Sequence, residues 1–362
     1  MPVWGSGKRR ILFVGEAPGA DEDSQGRPFV GKAGRFLREK LDELGCDLDE
    51  CRVTNSIICH PPENKMDQRY ADACAPSLAK VLREETFNVI ITLGEWALRQ
   101  VIPDDYLRYG GPLGRWTGWA IPLPYGTWLC PVYHPSYLVR SGENVMMVKA
   151  FVDDLANALN HDDSRPEVHD LEDLKSRVEL VRKPRARLDD LSSRSGILAF
   201  DYETTGLKPD APGQRVVSCS FCLDGEDTWA FEMGDEFIPR LGKILFSKRL
   251  KKVASNLKFE ERWTLKMFGR GVIGWHWDTM LAAHVLDNRS GITSIKFQSF
   301  VRLGVGGWED GVAKYLKAED ANSLNKVHLI SRDDLLIYNG LDSLLEFKVM
   351  ELQKEEMGCR GF

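Results

Sequence analysis

Ile11-Leu12-Phe13-Val14-Gly15-Glu16-Ala17-Pro18-Gly19 is a short apolar run that breaks into a Gly/Pro turn. Four apolar residues bounded by turn residues read as a strand buried on both faces, as in the middle of a parallel sheet. The pattern then alternates: a helix over 32–44, a strand over 53–58, a helix over 69–85, a strand over 89–93 and a helix over 95–101. Such alternation predicts a doubly wound α/β/α fold. Ligands of these sheets sit beyond the carboxyl ends of the strands, which places Glu16 to Gly19 at a candidate site. Gly15 and Gly19 would let the backbone approach a flat ligand. Taken alone, the loop and the acidic run Asp21-Glu22-Asp23 also read as a tight turn with a solvated patch. The loop does not carry the complete Gly-x-x-x-x-Gly-Lys-Ser/Thr pattern of a phosphate loop, which argues against a nucleoside triphosphate.

Working outward, the chain has 362 residues, about two domains' worth. With 43% hydrophobic and 28% charged residues it is an ordinary globular mix, not a disordered or fibrous one. No apolar run nears the roughly 18 residues of a membrane helix. Lys8-Arg9-Arg10 before the first strand imitates a signal peptide, but Gly15 and Glu16 end the apolar stretch too early. The net charge of −6 gives no basic coat, so any DNA contact must come from a local basic rim. Eight scattered cysteines, among them Cys46, Cys51 and Cys359, lack the density of a disulfide scaffold and point to a reducing cytoplasm.

A polar seam, Asn160-His-Asp-Asp-Ser-Arg-Pro166, suggests a first domain over 1–162, a linker over 163–166 and a second domain over 167–362. The second block predicts a helix over 171–181, a charged stretch through Arg194, strands over 197–202, 216–223 and 228–232, then helices to the end. The last helix runs from Arg332 to about Glu356. Strands early and helices late suggest a mixed α+β domain.

In the first block, Asn55 ends the second strand with a donor and an acceptor, which suits either a nucleobase edge or a turn cap. Pro135 forces His134 into an extended conformation, where it could donate to a developing negative charge or act structurally. The order of the motifs says more. Gly-Glu-Ala-Pro-Gly, Gly-Arg-Pro-Phe-Val-Gly, Thr-Asn-x-x-x-Cys-x-Pro-Pro-x-Asn and His-Pro-Ser-Tyr-Leu-x-Arg together resemble the family 4 uracil-DNA glycosylases over residues 9–160. The resemblance implies flipping deoxyuridine out of DNA and hydrolysing its N-glycosidic bond. On the matching positions, Ala17 and Phe29 would line the uracil, Phe29 stacking on it, and Asn55 would bond its polar edge. His134 would stabilise the uracil anion, and Glu16 or Glu22 would orient water. Leu138 and Val139 would prop the duplex open, with Arg140 at a phosphate. Cys59 and Cys74 fall where the last two ligands of the family's [4Fe–4S] cluster sit. The first pair has no counterpart ahead of Val14, so the cluster is incomplete: either the native start lies upstream or the cluster is lost.

In the second block, Phe200-Asp201-Tyr202-Glu203 ends an apolar strand, so Asp201 and Glu203 share a face as paired carboxylates whose repulsion cations would offset. Asn256-Leu-Lys-Phe-Glu260 opens a helical pattern, and Tyr338 and Asp342 lie four apart on one helix face. In that order, with Asp278-Thr-Met-Leu between them, these motifs resemble the 3′–5′ proofreading exonuclease of family A DNA polymerases, on a ribonuclease H-like fold, over about 190–355. The resemblance implies two Mg²⁺ or Mn²⁺ ions on Asp201, Glu203, Glu260 and Asp342, water oriented by Tyr338, and Asn256 at the substrate. Glu260 stands where the motif normally has Asp. Cys219-x-x-Cys222 is not a zinc pair, since positions i and i+3 of a strand face opposite sides.

The chain is thus expected to combine uracil excision with 3′–5′ exonuclease activity on single-stranded or locally melted, uracil-containing DNA. It ends where a family A polymerase would begin its catalytic domain, and so resembles the front half of a viral or bacterial polymerase. The implied partner is a polymerase subunit in trans, in a bacterial or infected cytoplasm, with no membrane role. The alternative reading is a catalytically silent uracil-reading or docking module beside an active exonuclease.

Overall fold

The computed structural model describes residues 1–358, and Cys359 lies outside the described residues. The chain divides into two units, Met1–Val168 and a second beginning at His169.

In the first unit, β1 (Ile11–Gly15), β2 (Arg52–Asn55), β3 (Val89–Leu93), β4 (Ile121–Leu123) and β5 (Thr127–Val132) form one sheet in the order β2-β1-β3-β5-β4. All neighbours are parallel except β4, which runs antiparallel to β5. Every residue of β1 and β3 is buried, because helices cover both faces. The helices Lys32–Glu43 and Val145–Leu159 turn Phe36, Leu37, Leu41, Phe151 and Leu155 onto Phe13, Val53 and Ile91. Gly15 pairs with Asn55 and Leu93 with Val132, so four carboxyl ends lie level. β2 and β3 flank β1 on opposite sides, which opens a crevice at the ends of β1 and β3. Asp21, Glu22 and Asp23 occupy the first turn of a helix, Ala20–Gln25, rather than a loop; acidic side chains there complement the helix dipole.

The second unit holds β6 (Val178–Leu180), β7 (Gly196–Thr204), β8 (Val216–Leu223), β9 (Asp227–Glu232), β10 (Leu250–Ala254) and β11 (Trp275–Asp278). Their order is β11-β10-β7-β8-β9-β6, with an antiparallel β7-β8-β9 meander and parallel partners on each side. Two expectations fail here. The helix over 171–181 stops at Ser176, and Val178 to Leu180 pair with Thr228 to Ala230 of β9, so tertiary pairing overrides local helical periodicity. Nor do the strands end at Glu232: β10 and β11 alternate with helices. β10 was masked by Lys251 and Lys252. The latter is fully buried and its ammonium donates to the carbonyls of Ser247 and Ile273, the second at 2.8 Å, while burial pushes its pKa down to about 8.

The last helix, Arg332–Glu356, lies across the sheet. Its apolar stripe joins Ala199, Cys222 and Val253 on one face, while Phe200, Tyr202 and Cys219 pack into a second layer on the other. Cys219 and Cys222 therefore sit on opposite faces. Gly340 is what lets this helix come close: a Cβ there would fall 2.2 Å from Cγ1 of Val178. Glycine inside a helix costs about 1 kcal/mol relative to alanine, and here close packing offsets it.

Two candidate active sites

At the crevice of the first unit, a cavity of about 380 Å³ is lined by Glu16, Ala17, Glu22, Phe29, Asn55, His134 and Arg140 among others. Seven expected side chains, six of them from four distant motifs, therefore share one concavity. Two of its lining side chains close on Gly15, where a Cβ would lie 2.3 Å from Asn55 Oδ1 and 2.9 Å from Phe29 Cζ. The Asn55 amide and the Phe29 ring thus converge over a position that only hydrogen can occupy. Asn55 is 5% exposed, yet no hydrogen bond reaches its side chain among the described residues, which leaves the amide free to read a ligand edge. Phe29 adopts φ 53°, a left-handed conformation that costs a non-glycine residue on the order of 1 kcal/mol or more. The loop is held by Glu22, whose Oε1 accepts the amides of Val30 (3.1 Å) and Gly31 (2.8 Å), and by Arg38 Nε on the Phe29 carbonyl (3.2 Å). Gly15→Ala is expected to destabilise the fold by about 1–3 kcal/mol and to displace Asn55 and Phe29, measured as a lower melting temperature.

The two carboxylates of the pocket differ. Glu16 Oε1 accepts the Trp96 amide at 3.3 Å at the start of the helix Glu95–Val101, and burial raises its pKa. Glu22 braces the Phe29 loop.

His134 follows β5 and caps the helix Pro135–Arg140, with φ −67° and ψ 133°, the extended conformation that Pro135 imposes. Its Nδ1 accepts the Ser136 amide at 3.2 Å. A backbone N–H can only donate, so the neutral ring must carry its proton on Nε2. Burial, helped by the Arg140 charge, pushes the His134 pKa down to about 4, so the ring is neutral at pH 7.

Leu138 requires a correction. It was expected on a loop that props the duplex, but it is 0% exposed and packed in the core with Phe36 and Leu155, because the segment is helical and turns it inward. Tyr137, stacked on Tyr133 at 5.4 Å, is the exposed apolar side chain of that helix, and Val139 is half-buried. The cysteine pair also falls short of its expected role. Cys59 is exposed and Cys74 half-buried, and among the described residues no third potential ligand joins either. Two thiols do not fit a [4Fe–4S] cluster, which needs four ligands.

In the second unit, β7 sends Phe200 and Tyr202 into one core layer and Asp201 and Glu203 to the face covered by the last helix. There one carboxylate oxygen each from Asp201, Glu203 and Asp342 lies within 4.8 Å of the others. Burial, then mutual repulsion, pushes Asp201 and Glu203 well above the usual carboxylate range. Asp342 rises to about 6 through burial, opposed by the Lys296 charge and by hydrogen bonds from Trp308 and Tyr338. Three hard oxygen donors under that repulsion fit a divalent cation.

Glu260, expected in the same set, is buried but stands outside the trio, with Oε2 lacking any partner. Asn256 sits at φ 61° and is braced by Asp278, whose carboxylate accepts the amides of Asn256 (3.0 Å) and Leu257 (3.2 Å) as well as those of Met280 and Leu281. Asp278 is therefore a brace for the loop.

Several polar groups escaped the sequence reading. Asn339 Nδ2 donates to Asp201 Oδ2 at 2.7 Å while its Oδ1 accepts Ser218 Oγ at 2.9 Å, fixing the rotamer of Asp201. Trp308 Nε1 donates to Asp342 Oδ1 at 2.8 Å. Glu309 and Glu346 are buried beside the centre, each with Oε2 unpartnered. Glu346 carried a usable signal, since it lies one helical turn beyond Asp342. The others carried none, because their partners are distant in sequence.

A uracil DNA glycosylase superfamily profile matches residues 2–156, and a 3′-5′ exonuclease profile matches residues 168–334. The chain is 36% identical to the type-4 uracil-DNA glycosylase of Thermotoga maritima, over 37% of this chain and 69% of that protein. It is 33% identical to that of Saccharolobus solfataricus, over 38% and 65%. A DNA polymerase of Bacillus phage SP01 is 25% identical over 97% of this chain, which spans 40% of that protein. The chain thus covers 65% and 40% of the lengths of the last two relatives, under two thirds of each. Among the described residues no helix is long and apolar enough to cross a membrane. Through its first unit the chain belongs to the type-4 uracil-DNA glycosylases of the uracil DNA glycosylase superfamily, and its second unit matches the 3′-5′ exonuclease profile.

Proposed function

We propose that the chain hydrolyses two bonds in DNA: the N-glycosidic bond of deoxyuridine in its first unit and the 3′-terminal phosphodiester bond in its second. The observation that carries the nuclease reading is the convergence of Asp201, Glu203 and Asp342 from two distant stretches. A divalent cation held there, Mg²⁺ or Mn²⁺, would activate water and steady the leaving oxygen. Asn339 holds Asp201 in one rotamer, Trp308 does the same for Asp342, and Tyr338, one helical turn before Asp342 and under its charge, can orient the incoming water. Glu203 assists Tyr338, and Asn256 contacts the terminal nucleotide.

The cavity beyond β1 and β3 supports excision. Phe29 stacks on an everted uracil, Ala17 lines it, and Asn55 pairs with its polar edge. His134 donates its Nε2 proton in a hydrogen bond to the uracil oxygen on which charge develops. Of the two carboxylates, Glu16 is the better group to orient water, since its raised pKa makes it the stronger base, whereas Glu22 is engaged by the loop. Arg140, at the rim, is suited to a phosphate. Similarity to a phage DNA polymerase along 97% of the chain supports action beside a polymerase on the same DNA.

Uracil-containing single-stranded DNA, incubated with the full chain and then treated with alkali, is expected to break at uracil. Asn55→Ala should reduce that cleavage by about 10²-fold, the order expected for losing one stabilising donor. Undiminished cleavage by the variant would remove Asn55 from the site. No cleavage by the unaltered chain would leave the first unit a silent module.

A further inference from the structure

The nuclease centre holds more carboxylate than its converging trio. Tyr338, Asp342 and Glu346 are spaced four apart along one helix and form a single stripe. Glu346 is 2% exposed. Its Oε1 accepts the Ser255 amide at 3.0 Å, just past the end of β10, and its Oε2 is buried with no partner. Glu260, on the helix that follows the same loop, is 1% exposed, and its Oε2 is likewise buried and unpartnered. Both carboxyls feel the charges of Asp201 and Asp342, and Glu346 feels that of Glu260 as well.

Structural carboxylates nearby are treated differently. Asp278 collects four backbone amides, and Glu261 Oε2 accepts both the Val272 amide and the Trp275 indole N–H at 2.9 Å. A buried carboxylate oxygen with no donor is unfavourable unless a cation or a proton meets it. Two such oxygens, reaching from separate helices, flank one loop.

We propose that Glu346 and Glu260 together ligate a divalent cation on the β10 side of the centre, making Glu346 a fifth carboxylate of a two-cation site whose other ion rests on Asp201, Glu203 and Asp342. The inference rests on the nuclease reading and deepens it. It also gives a reason for glutamate at position 260: paired with Glu346, the longer arm closes around an ion from the opposite side.

The test is a titration of the full chain with Mn²⁺ alone, following the free ion by electron paramagnetic resonance. The unaltered chain is expected to bind two ions. Glu346→Gln should retain one and weaken the other on the order of 10- to 100-fold, and Glu260→Gln should weaken that same ion. Equal affinities for both ions in Glu346→Gln and the unaltered chain would overturn the proposal, because a glutamine reproduces a protonated Glu346. So would a single ion in the unaltered chain. If Glu346→Gln lacks a cooperative thermal transition, Glu260→Gln decides, and undisturbed binding of both ions again overturns it. Asp201→Ala separates the two claims: should it too leave Mn²⁺ binding untouched, the nuclease reading itself fails.

Discussion

Replacing Asp201 with alanine is expected to reduce Mg²⁺-dependent shortening of a 5′-labelled single strand by about 10³-fold or more. The magnitude follows from the several kcal/mol that a positioned cation contributes to a phosphodiester transition state, at about 1.4 kcal/mol per tenfold. Asp201 is the member of the trio with the most dedicated support. Asn339 occupies its Oδ2, Ser218 orients Asn339, and the Ser220 hydroxyl donates to the Asn339 carbonyl at 2.7 Å. That relay leaves one Asp201 oxygen to face Glu203 and Asp342. The alanine variant removes a negative charge from a buried, mutually repelling group, so metal-free folding should survive. Alkali-labile cleavage at uracil in the same preparation then serves as an internal control and should be unchanged. Shortening at the normal rate would remove the metal assignment.

The second large effect is expected at His134. Replacement by alanine should lower uracil excision by about 10²- to 10³-fold, the loss found when one donor to a developing oxyanion is removed. Its pH dependence distinguishes a neutral donor from a cationic one. The folded pKa, about 4, lies below the ordinary imidazole value of 6.5. The neutral form therefore persists as pH falls below 6.5 and is lost only as pH passes through about 4. Excision by the unaltered chain should show no His134-dependent decline between pH 7 and 5. A decline centred near 6.5 that disappears in His134→Ala would show that the imidazole titrates normally, contrary to its burial. The same shift bears on stability: the His134 contribution is complete above pH 6.5 and is lost as pH falls towards 4.

Most of the first site was legible because its side chains are tied to strand ends. Buried apolar strands such as Ile11 to Val14 and Val89 to Leu93 announce themselves by composition, and parallel register then gathers their carboxyl ends whatever the loops do. Glu16, Asn55 and His134 converge for that reason. Leu138 did not follow. The six residues from Pro135 form a short helix, and helical rotation, unreadable in so short a segment, sent Leu138 inward and left Tyr137 outside. In the second unit, period-two alternation put Asp201 and Glu203 on one face, and a four-residue spacing put Tyr338 with Asp342. β10 was hidden because Lys252, a residue that marks a surface in most strands, is buried here with its ammonium on two carbonyls.

By itself the sequence determined that β1 and β3 are buried and that Asp201 and Glu203 share a face, since each follows from local period and composition. Only the tertiary structure decided that Asn339 holds Asp201, that Asp278 is a brace, that Glu260 stands outside the trio, and that Glu346 is buried beside it. Those outcomes depend on where separate elements bring hydrogen-bond donors, and on where they bring none, at distances along the chain that no local pattern encodes.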